Sequence, residues 1–383
     1  MYDRPKINIL ELTTLDITAY MFLRPLFKLL KDLEFEVMLG CRNTGFMQLL
    51  QLEGITVKEI PFIRDRISPY DYSAFKLVLN LIEKFQFDII HTHTAKAGFI
   101  GRVAGRLKGV PMIIHTVHGF SFNNDALNPV KRWFYRSLEK LATRMSNYII
   151  TVNKEDWHQI QSWSIIPEKN IRCIYNAIDI DKFKDLKRNK VSKKEFGILD
   201  NEKVIINIGE LIPRKDFLTF IKLAFLIKKR FPKVKFLIVG DGPQVHNLKK
   251  KTQDFGLKGD IIFTGFRSDI PEILKIADLL LFTSRAEGLP TVVLEAMACS
   301  LPVVAIDAPG TREVISHGNS GYIFPRNQLG KIVDKVIEIL TDISLAEALG
   351  KYGEKLVREK FSYSKILKDW QAFWVDVKEK LNR

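Results

Sequence analysis

Short apolar segments alternate with amphipathic segments of helical periodicity along most of the chain. Neighbouring strands of a parallel sheet need a crossover connection, and that crossover is usually a helix. The alternation therefore predicts an α/β fold with a parallel, doubly wound sheet. The first series predicts strands at 6–12, 35–41, 87–93, 111–119 and 147–153, with helices near 19–33, 72–85, 96–107 and 128–146.

The alternation is interrupted at residues 184–203, where "KDLKRNKVSKKEFGILDNEK" is rich in charge and poor in apolar residues. A segment of this composition is typical of an interdomain linker with a small helix. The alternation then restarts, so the sequence predicts two Rossmann-like halves. The second series predicts strands at 203–211, 235–243, 261–266, 278–284, 302–310 and 321–324.

The last predicted helix, near residues 362–382, carries an apolar stripe at helical spacing. Such a stripe needs a groove that buries it, and the edge of a crevice between two domains is one place for it. The stripe consists of Ile366, Trp370, Phe373, Trp374, Val377 and Leu381.

The composition narrows the class of protein. With 46% apolar and 27% charged residues among 383, the chain can form large cores and is too apolar to be disordered. No apolar run reaches the 18 or more residues of a membrane span, and the N-terminus lacks a signal-peptide pattern. The three cysteines are far apart and odd in number, which favours a reducing cytosol over a disulfide framework.

The chain is strongly basic, with a formal net charge of +15 and a pI near 9.5. Such a field attracts nucleic acid, anionic lipid and phosphorylated ligands. Residues 90–145 hold nine Lys/Arg against two acids, a net charge of +7, together with the aromatic segments "GFSF" and "RWFYRSL". This stretch is interpreted either as solvated helix faces or as a patch for an anionic membrane surface. No nucleic-acid motif is present, so nucleic acid is not predicted as a partner.

Residues 285–298, "RAEGLPTVVLEAMA", place two glutamates eight positions apart. Pro290 suits the first turn of a helix, and a helix from near Leu289 would offer free N–H groups as far as Val292. Glu287 would lie just before this anion site, at the carboxyl end of a strand, where α/β sheets bind ligands. Glu295 would lie roughly 7–8 Å further along the helix. The stretch would therefore present a carboxylate, an anion pocket and a second carboxylate in a row. A nucleotide-sugar has matching groups in a row, namely its sugar hydroxyls, its diphosphate and its ribose hydroxyls.

Two other interpretations of these glutamates stay open at this point. A glutamate in the first turns of a helix often only compensates the helix dipole. The second interpretation is a catalytic pair of a glycosidase. Inverting glycosidases hold their two carboxyl groups about 6.5–9.5 Å apart, a distance that the sequence allows for Glu287 and Glu295.

Three further groups of residues are possible ligands. His91 and His93 share one face of a strand at a spacing found in metal sites, but no third ligand is evident in the sequence. Asp179 and Asp181 resemble an Asp-x-Asp metal motif but follow a strand into the linker, which favours a role in capping the linker. We therefore predict no metal site. Lys96 and Arg102, in the helix after "HTHT", are weak candidates for binding an acceptor phosphate or form a solvated face.

The stretch "RAEGLPTVVLEAMACSLPVVAIDAPGTREVI" resembles the signature of family-four retaining glycosyltransferases of the GT-B fold. The matching positions are Glu287, Glu295, the strand 302–304, Gly310 and Glu313. Further similar segments are "INIGELIPRKDF" (206–217), a phosphate-binding loop, "IVGDGP" (238–243), "FTGF" (263–266), a nucleobase loop, and "NAIDIDKF" (176–183), the linker entry. "HTHTAKAGFIGRVAG" (91–105) and "HTVHGFSF" (115–122) are similar to the bacterial branch that builds surface polysaccharides.

The resemblance implies two Rossmann-like domains facing a central cleft, with the C-terminal helix packing back on the N-terminal domain. Residues 1–185 with 362–383 would form the acceptor-side domain, and residues 186–361 the nucleotide-sugar-binding domain.

The resemblance also implies roles for individual residues. Glu295 would hold the ribose hydroxyls and Glu287 the hydroxyls of the donor sugar, while His118 would face donor sugar and acceptor. Arg214 and Lys215 would neutralise the diphosphate. The remaining implied donor-binding positions are Gly209, Gly265, Phe266, Leu289, Pro290, Thr291 and Val292.

The chain departs from the family pattern at two places. Glu210 follows Gly209 where the family usually has Arg, and the usual glycine-rich loop after the first strand is replaced by "LTTLDITAYMFLRPL". Thr14 or its neighbour Thr13 is the weak candidate for an acceptor or phosphate contact there.

The sequence thus predicts a retaining glycosyltransferase that moves a sugar from a UDP-sugar, a hexose or an N-acetylhexosamine, to a lipid-linked saccharide in cell-surface polysaccharide assembly. It would need neither metal nor cofactor, and it would be cytoplasmic and peripheral on the inner face of the membrane. A nucleotide-sugar epimerase of the same fold and a non-catalytic nucleotide-sugar-binding protein are the alternatives. The sequence determines neither the donor sugar nor the acceptor.

Overall fold

The computed structural model describes residues 6–64, 68–124, 126–184 and 191–382. Residues 185–190 of the predicted linker lie outside these ranges. The chain divides into two compact units, which are described separately below. The N-terminal unit consists of Met1–Asn123, Leu127–Asn176 and Ser364–Arg383, and the C-terminal unit of Asn124–Ala126 and Ala177–Tyr363.

The N-terminal unit is built on a parallel sheet that has seven strands within the described residues, in the order β3-β2-β1-β4-β5-β6-β7. Strand order reverses between β1 and β4, and this switch point is where open α/β sheets bind ligands. The strands are β1 (Asn8–Leu15), β2 (Glu36–Arg42), β3 (Thr56–Glu59), β4 (Ile89–His93), β5 (Met112–Val117), β6 (Tyr148–Thr151) and β7 (Ile171–Cys173).

The crossovers of the N-terminal unit are helical, as predicted, but the first helix starts earlier and is irregular. A π-helical turn, Ala19–Leu23, precedes Pro25, because proline has no N–H for the bond to the carbonyl four residues back. The helices are α1 (Asp16–Thr18), α2 (Arg24–Asp32), α3 (Met47–Leu52), α4 (Tyr70–Phe85), α5 (Ala95–Leu107), α6 (Pro129–Thr143) and α7 (Lys154–Gln161).

The C-terminal unit contains a second parallel sheet, with six strands in the part of the chain that the structure describes, in the order β10-β9-β8-β11-β12-β13. Each strand lies where the sequence predicts one, and the order reverses between β8 and β11. The strands are β8 (Lys203–Ile208), β9 (Val234–Val239), β10 (Ile261–Gly265), β11 (Leu279–Phe282), β12 (Val303–Ile306) and β13 (Gly321–Phe324).

Helices cover this second sheet, and the central strands β8, β9 and β11 are almost completely buried, as expected for strands covered on both faces. The helices are α8 (Asp181–Lys184), α9 (Phe217–Arg230), α10 (Val245–Asp254), α11 (Ile270–Leu274), α12 (Thr291–Ala298), α13 (Thr311–Val314), α14 (Leu329–Thr341) and α15 (Ile343–Lys360).

The C-terminal helix α16 (Tyr363–Leu381) packs on the N-terminal unit, which confirms the expectation for this segment. The fully buried Trp374 lies edge-on to Phe35, with ring centroids 5.6 Å apart, and Phe373 meets Tyr148 at 5.4 Å. The apolar stripe of α16 therefore completes a core to which Phe35 and Tyr148 of the N-terminal unit contribute. Among the described helices, none combines the length and the apolar character needed to cross a membrane.

Candidate functional site

The switch point of the C-terminal unit brings together the loops that follow β8 and β11. The amide of Asn207, in β8, donates a buried hydrogen bond of 3.0 Å to the hydroxyl of Thr283, directly after β11. Residues Pro213–Lys215 form a 3₁₀ turn, and the N–H of Arg285 donates to the carbonyl of Arg214 at 2.8 Å. These bonds hold the basic turn beside the loop that carries Glu287.

Glu287 is the centre of a buried ion-pair cluster. Its Oε1 accepts from Nζ of Lys215 at 2.7 Å and from the hydroxyl of Ser284 at 2.6 Å. Its Oε2 accepts from Arg214 at 3.1 Å, and Arg214 also donates to the carbonyl of Ala286 at 2.7 Å. Burial alone would raise the pKa of Glu287, but Lys215 and Arg214 outweigh it and hold the pKa at about 2. Glu287 is therefore a carboxylate at neutral pH.

The backbone next to Glu287 is fixed by the loop after β12. The N–H of Glu287 donates to the carbonyl of Pro309 at 3.1 Å. Gly310 has φ 81°, and a Cβ atom there would lie 2.5 Å from the carbonyl oxygen of Gly288 and 2.7 Å from that of Glu287. Only glycine avoids both the strain and the clash, so Gly310 permits the close contact that positions Glu287.

Helix α12 begins two residues later than expected, at Thr291, with Pro290 as its N-cap in an extended conformation. The expectation that Pro290 belongs to the first turn is therefore wrong. The N–H groups of Leu289, Thr291 and Val292 have no acceptor among the described residues, so the N-terminus still offers donors for an anion.

Glu295 lies in α12, as expected. Its carboxyl group is partly buried and has no hydrogen-bond partner among the described residues. Burial raises the pKa of Glu295 to about 7, although Lys182 and Lys215 act to lower it. Because Lys215 influences both carboxyl groups, the ammonium group lies within electrostatic reach of Glu287 and of Glu295.

A second charged cluster, which the sequence does not reveal, supports this turn. Asp216 is buried and caps α9, because its carboxylate accepts from the backbone N–H of Thr219 at 3.4 Å. It also accepts from the hydroxyl of Thr219 at 2.8 Å and forms ion pairs with Arg285 at 3.0 Å and with Arg326. These partners are 69 and 110 positions away in the chain, so no local pattern predicts the cluster. Asp216 directly follows Lys215 and thereby anchors the turn that carries the two cations.

The other predicted donor-binding residues surround the strand ends of the same sheet. A Cβ atom on Gly240 would lie 2.0 Å from the carbonyl oxygen of Gly209, so the loops after β8 and β9 touch backbone to backbone. The N–H of Gly240 donates to the carbonyl of Gly265 at 2.8 Å, and the neighbouring Phe266 is 64% exposed. An exposed aromatic ring at this place can stack against a flat base.

The switch point of the N-terminal unit holds a buried network of carboxylate and imidazole groups. Glu11, in β1, accepts from Nδ1 of His91 at 3.0 Å and from Nε2 of His93 at 2.8 Å. Nε2 of His91 lies 2.8 Å from the hydroxyl of Thr116, and Nδ1 of His93 lies 3.1 Å from Nε2 of His118. The predicted His118 is thus the partly exposed end of a chain that begins at a fully buried glutamate.

Glu11 is a third potential metal ligand beside His91 and His93, and the sequence alone does not reveal it. The ligand atoms of these three residues lie within 4.8 Å of one another. Direct hydrogen bonds already engage both carboxylate oxygens and the two imidazole nitrogens that face them. Glu11 is 80 positions from His91, and only the pairing of β1 with β4 reveals the cluster.

The weak acceptor candidates have different environments. The hydroxyl of Thr14 lies 2.7 Å from that of Thr94, and Thr13 has a buried hydroxyl without a hydrogen-bond partner among the described residues. Lys96 is partly exposed and pairs with Asp71 at 2.8 Å.

Arg102 does not have the expected environment. It is fully buried, and its guanidinium group binds both carboxylate oxygens of Glu139, at 2.7 and 3.1 Å. The expectation that it contacts an acceptor is wrong, because its donors are used to join α5 to α6.

Two family models match consecutive parts of the chain. Residues 22–182 match "Glycosyltransferase Family 4", and residues 189–356 match "Glycosyl transferases group 1". The two matches together span most of the chain.

Similar proteins agree with these matches. The chain is 29% identical to UDP-Gal:alpha-D-GlcNAc-diphosphoundecaprenol alpha-1,3-galactosyltransferase of Escherichia coli over 92% of each chain. It is 28% identical to N-acetyl-alpha-D-glucosaminyl L-malate synthase of Bacillus anthracis, over 81% of this chain and 80% of the relative. The fold matches that of HepE from Anabaena, crystallised in complex with UDP and glucose, with a TM-score of 0.81 and 20% identity over 97% of this chain and 100% of HepE. The fold and the matched models define a glycosyltransferase with two Rossmann-like units. The chain belongs to glycosyltransferase family four, of the GT-B fold.

Proposed function

We propose that this protein is a retaining glycosyltransferase that moves a hexose or an N-acetylhexosamine from a UDP-sugar to a lipid-linked saccharide in surface-polysaccharide assembly. The observation that carries the proposal is the pair Arg214 and Lys215, held beside Glu287 at the carboxyl end of β8. Similar proteins support the substrate classes. The Escherichia coli relative is named for UDP-Gal and a diphosphoundecaprenol-linked sugar, and HepE was solved with UDP.

The cluster suits the departure of a nucleoside diphosphate. Arg214 and Lys215 carry two positive charges and Glu287 carries one negative charge. The cluster therefore has a net charge of +1, which attracts an anion. The ammonium group of Lys215 has three donors and gives one to Glu287. With the free N–H groups of Leu289, Thr291 and Val292, these donors would stabilise the negative charge that develops on the leaving diphosphate. Such a site needs no divalent metal.

The two glutamates suit the two ends of a nucleotide-sugar. Glu287 uses three of its roughly four acceptor positions within the protein, which leaves one for a hydroxyl of the donor sugar. Glu295 has no protein partner among the described residues, so both of its oxygens are available to vicinal ribose hydroxyls. Phe266 would stack on the base.

We propose that the acceptor is located at an anionic membrane surface. The exposed residues of helix α6 support this location. Val130, Trp133, Phe134 and Leu141 form an exposed apolar stripe along α6, with Trp133 69% and Val130 72% exposed. Exposed basic residues, Lys131 and Arg136, lie on the same helix. We call these six residues the α6 surface. Apolar and aromatic side chains that insert between headgroups, beside cations that attract anionic lipid, are typical of peripheral membrane binding. We infer that the protein acts peripherally on the cytoplasmic leaflet.

The function is tested by incubating the purified chain with a panel of nucleotide-sugars, with lipid-linked saccharides or with L-malate as acceptor. We expect nucleotide release that depends on the lipid-linked acceptor, and a product with the anomeric configuration of the donor, read by NMR. Transfer to malate instead would overturn the acceptor class. Inversion of the anomeric centre would overturn the retaining mechanism. Turnover without any acceptor would indicate hydrolysis or epimerisation.

A matched pair of variants ties the activity to the site. Lys215→Met should abolish most turnover, whereas Lys351→Met, at an exposed position of α15 in the same unit, should leave it unchanged. Equal activity of both variants would contradict the role of Lys215.

A further inference from the structure

The guanidinium group of Arg326 joins the loops that follow β8 and β11. Its Nη1 donates to Oδ2 of Asp216, and its Nη2 lies 3.4 Å and 3.3 Å from the carbonyl oxygens of Thr283 and Ser284. Arg326 itself follows β13, at the edge of the sheet, whereas Asp216 follows β8 and the two carbonyls follow β11. One side chain therefore connects the ends of three strands, as the planar fork of a guanidinium group allows.

Both loops that Arg326 joins carry residues of the candidate donor site. Asp216 directly follows Lys215 in the chain, and the hydroxyl of Ser284 donates to Oε1 of Glu287 at 2.6 Å. Nζ of Lys215 donates to the same carboxylate oxygen at 2.7 Å. The contacts of Arg326 are thus one residue away from the ammonium group on one side and at the residue that orients the carboxylate on the other.

The turn that carries Lys215 ends in a backbone conformation that needs support. Asp216 has φ 49° and ψ 48°, in the left-handed region, which residues with a side chain adopt only occasionally. Such a conformation persists where the surrounding structure fixes it. Here the support is the carboxylate of Asp216, which accepts from Arg326, from Arg285 at 3.0 Å and from the hydroxyl of Thr219 at 2.8 Å.

Neutralising Asp216 does not require Arg326. One cation is enough to pair a buried carboxylate, and Asp216 has two, Arg285 and Arg326, each with a side chain that is 26% exposed. Arg285 would still pair with Asp216 if Arg326 were replaced, so a variant should keep the buried charge compensated and should fold. The distinctive contribution of Arg326 is its additional bonding to the backbone carbonyls of the loop after β11.

We propose that Arg326 is a positioning residue for the diphosphate end of the donor. Through Asp216 and Ser284 it fixes the separation between the turn that carries Lys215 and the loop that carries Glu287. This inference rests on the proposed function, in which Lys215 binds the diphosphate. A cation that must meet a phosphate oxygen within hydrogen-bond distance loses most of its effect when its support shifts by about 1 Å.

The other parts of the donor would be bound elsewhere in the unit. Phe266, after β10, would stack on the base, and Glu295, within α12, would bind the ribose. Neither residue belongs to the two loops that Arg326 joins. Loss of Arg326 should therefore weaken the binding of a ligand that contains the diphosphate and should leave the binding of the nucleoside almost unchanged.

The test is titration calorimetry with UDP and with uridine. Arg326→Gln should lower the affinity for UDP about tenfold and that for uridine less than twofold. Arg326→Lys keeps the positive charge but lacks the planar fork, so it should lose nearly as much. Arg230→Gln is the matched control, because Arg230 forms an exposed ion pair with Asp334 in the same unit, and it should bind both ligands normally.

Two results of this titration would overturn the proposal. Equal losses for UDP and uridine in Arg326→Gln would indicate a general destabilisation of the unit. Full recovery of UDP binding in Arg326→Lys would show that the charge acts by attraction at a distance and that the positions of the two loops do not depend on Arg326.

Hydrogen exchange without ligand keeps the inference separate from the assignment of the donor. In the wild type the N–H of Arg285 donates to the carbonyl of Arg214 across the two loops. In Arg326→Gln we expect faster exchange in segments 212–219 and 284–288 and unchanged exchange in β9. Unchanged exchange throughout the folded variant would overturn the positioning role even if UDP binds. A wild type that binds no UDP would instead overturn the proposed donor class, and exchange would still show whether Arg326 holds the two loops.

Discussion

Nζ of Lys215 lies 2.7 Å from Oε1 of Glu287, and the side chains are only 16% and 8% exposed. One partner follows β8 and the other follows β11, so the pair bridges the two strands at which the order of the sheet reverses. A buried charge pair costs desolvation energy that its attraction only partly offsets, and removal of one partner leaves an uncompensated buried charge. The protein retains this pair at the place where its fold binds ligands, which is the reason we assign it a functional role.

The first prediction concerns the stability of this pair. Lys215→Met should destabilise the C-terminal unit by about 3 kcal/mol, because Glu287 would keep its charge with only Arg214 and Ser284 as partners. At roughly 2–4 °C per kcal/mol for a unit of this size, the melting temperature should fall by about 6–12 °C. Calorimetry of the purified variants measures the shift.

The exposed pair Lys251–Asp254, at 3.0 Å with both side chains more than 40% exposed, supplies the control. Lys251→Met should cost less than about 1 kcal/mol, as for other surface pairs. If both variants melt at the same temperature, the buried pair contributes no more than a surface pair.

The second prediction concerns pH. The pKa of Glu295 rises from 4.5 in the unfolded chain to about 7 in the folded protein, so between these values the folded state binds more protons. Stability must therefore fall as the pH increases from about 4.5 to about 7, by up to about 3 kcal/mol. Glu287, whose pKa is lowered to about 2, affects stability in the opposite direction. Its stabilising contribution is fully present above pH 4.5 and is lost as the pH falls towards 2.

Glu295→Gln isolates this contribution. Melting temperatures measured from pH 5 to pH 8 should decline less steeply for the variant than for the wild type, and the two curves should differ most above pH 7. Parallel curves would show that Glu295 titrates normally and is not desolvated.

The strands of the C-terminal unit could be predicted from the sequence because they are predominantly apolar and well separated. The edge strands β3 and β7 were missed since "TVKE" and "IRC" are too short to show periodicity, and each has a single buried residue. Arg102 was expected at a solvated or ligand-binding surface. Its charge is instead neutralised by Glu139, 37 positions away, and no local signal in the sequence reveals that pairing.

The two glutamates of the site could be found because both lie in one continuous segment. Glu11 and Asp216 could not, since each acquires its role from partners that only the sheet topology brings close. The start of α12 was misplaced because proline is over-represented at the first helical position, whereas Pro290 lies one residue before it, at the N-cap.

The third prediction concerns the α6 surface. The wild type should float with vesicles that contain anionic lipid, and binding should weaken at high salt, because each well-placed basic residue contributes about 1 kcal/mol that salt screens. Trp133→Ser combined with Lys131→Glu and Arg136→Glu should reduce binding at least tenfold. The control reverses two exposed lysines of the C-terminal unit, Lys351→Glu and Lys355→Glu, and should bind normally. Equal binding to neutral and anionic vesicles would contradict the electrostatic part of this account.

The fourth prediction concerns metal removal. If Arg214, Lys215 and the N–H groups at the start of α12 stabilise the diphosphate, EDTA should leave the transfer rate largely unchanged. A rate that EDTA abolishes and that Mg²⁺ or Mn²⁺ restores would instead favour a metal at Asp179 and Asp181, or at the network of Glu11, His91 and His93. His91→Gln would then separate the two places, since it alters only the second.

The fifth prediction separates the roles of the two glutamates by their kinetics. Glu295 would bind ribose hydroxyls far from the reacting carbon, so its contribution should be equal in the ground state and the transition state. Glu295→Ala should therefore raise the KM for the donor about ten- to a hundred-fold, the effect of losing hydrogen bonds to a charged group worth about 1.5–3 kcal/mol, with a smaller change in kcat.

Glu287 should show the opposite pattern. It is ionised, buried and bonded to both cations, and it would lie beside the sugar ring that becomes positively charged in the transition state. Glu287→Gln keeps the shape but removes the charge, so kcat should fall more than KM rises. The exposed Glu347→Gln, on α15, is the control and should behave as the wild type. If Glu287→Gln and Glu295→Ala both keep the normal kcat and KM, the two carboxylates only stabilise loop and helix, and the donor must bind elsewhere.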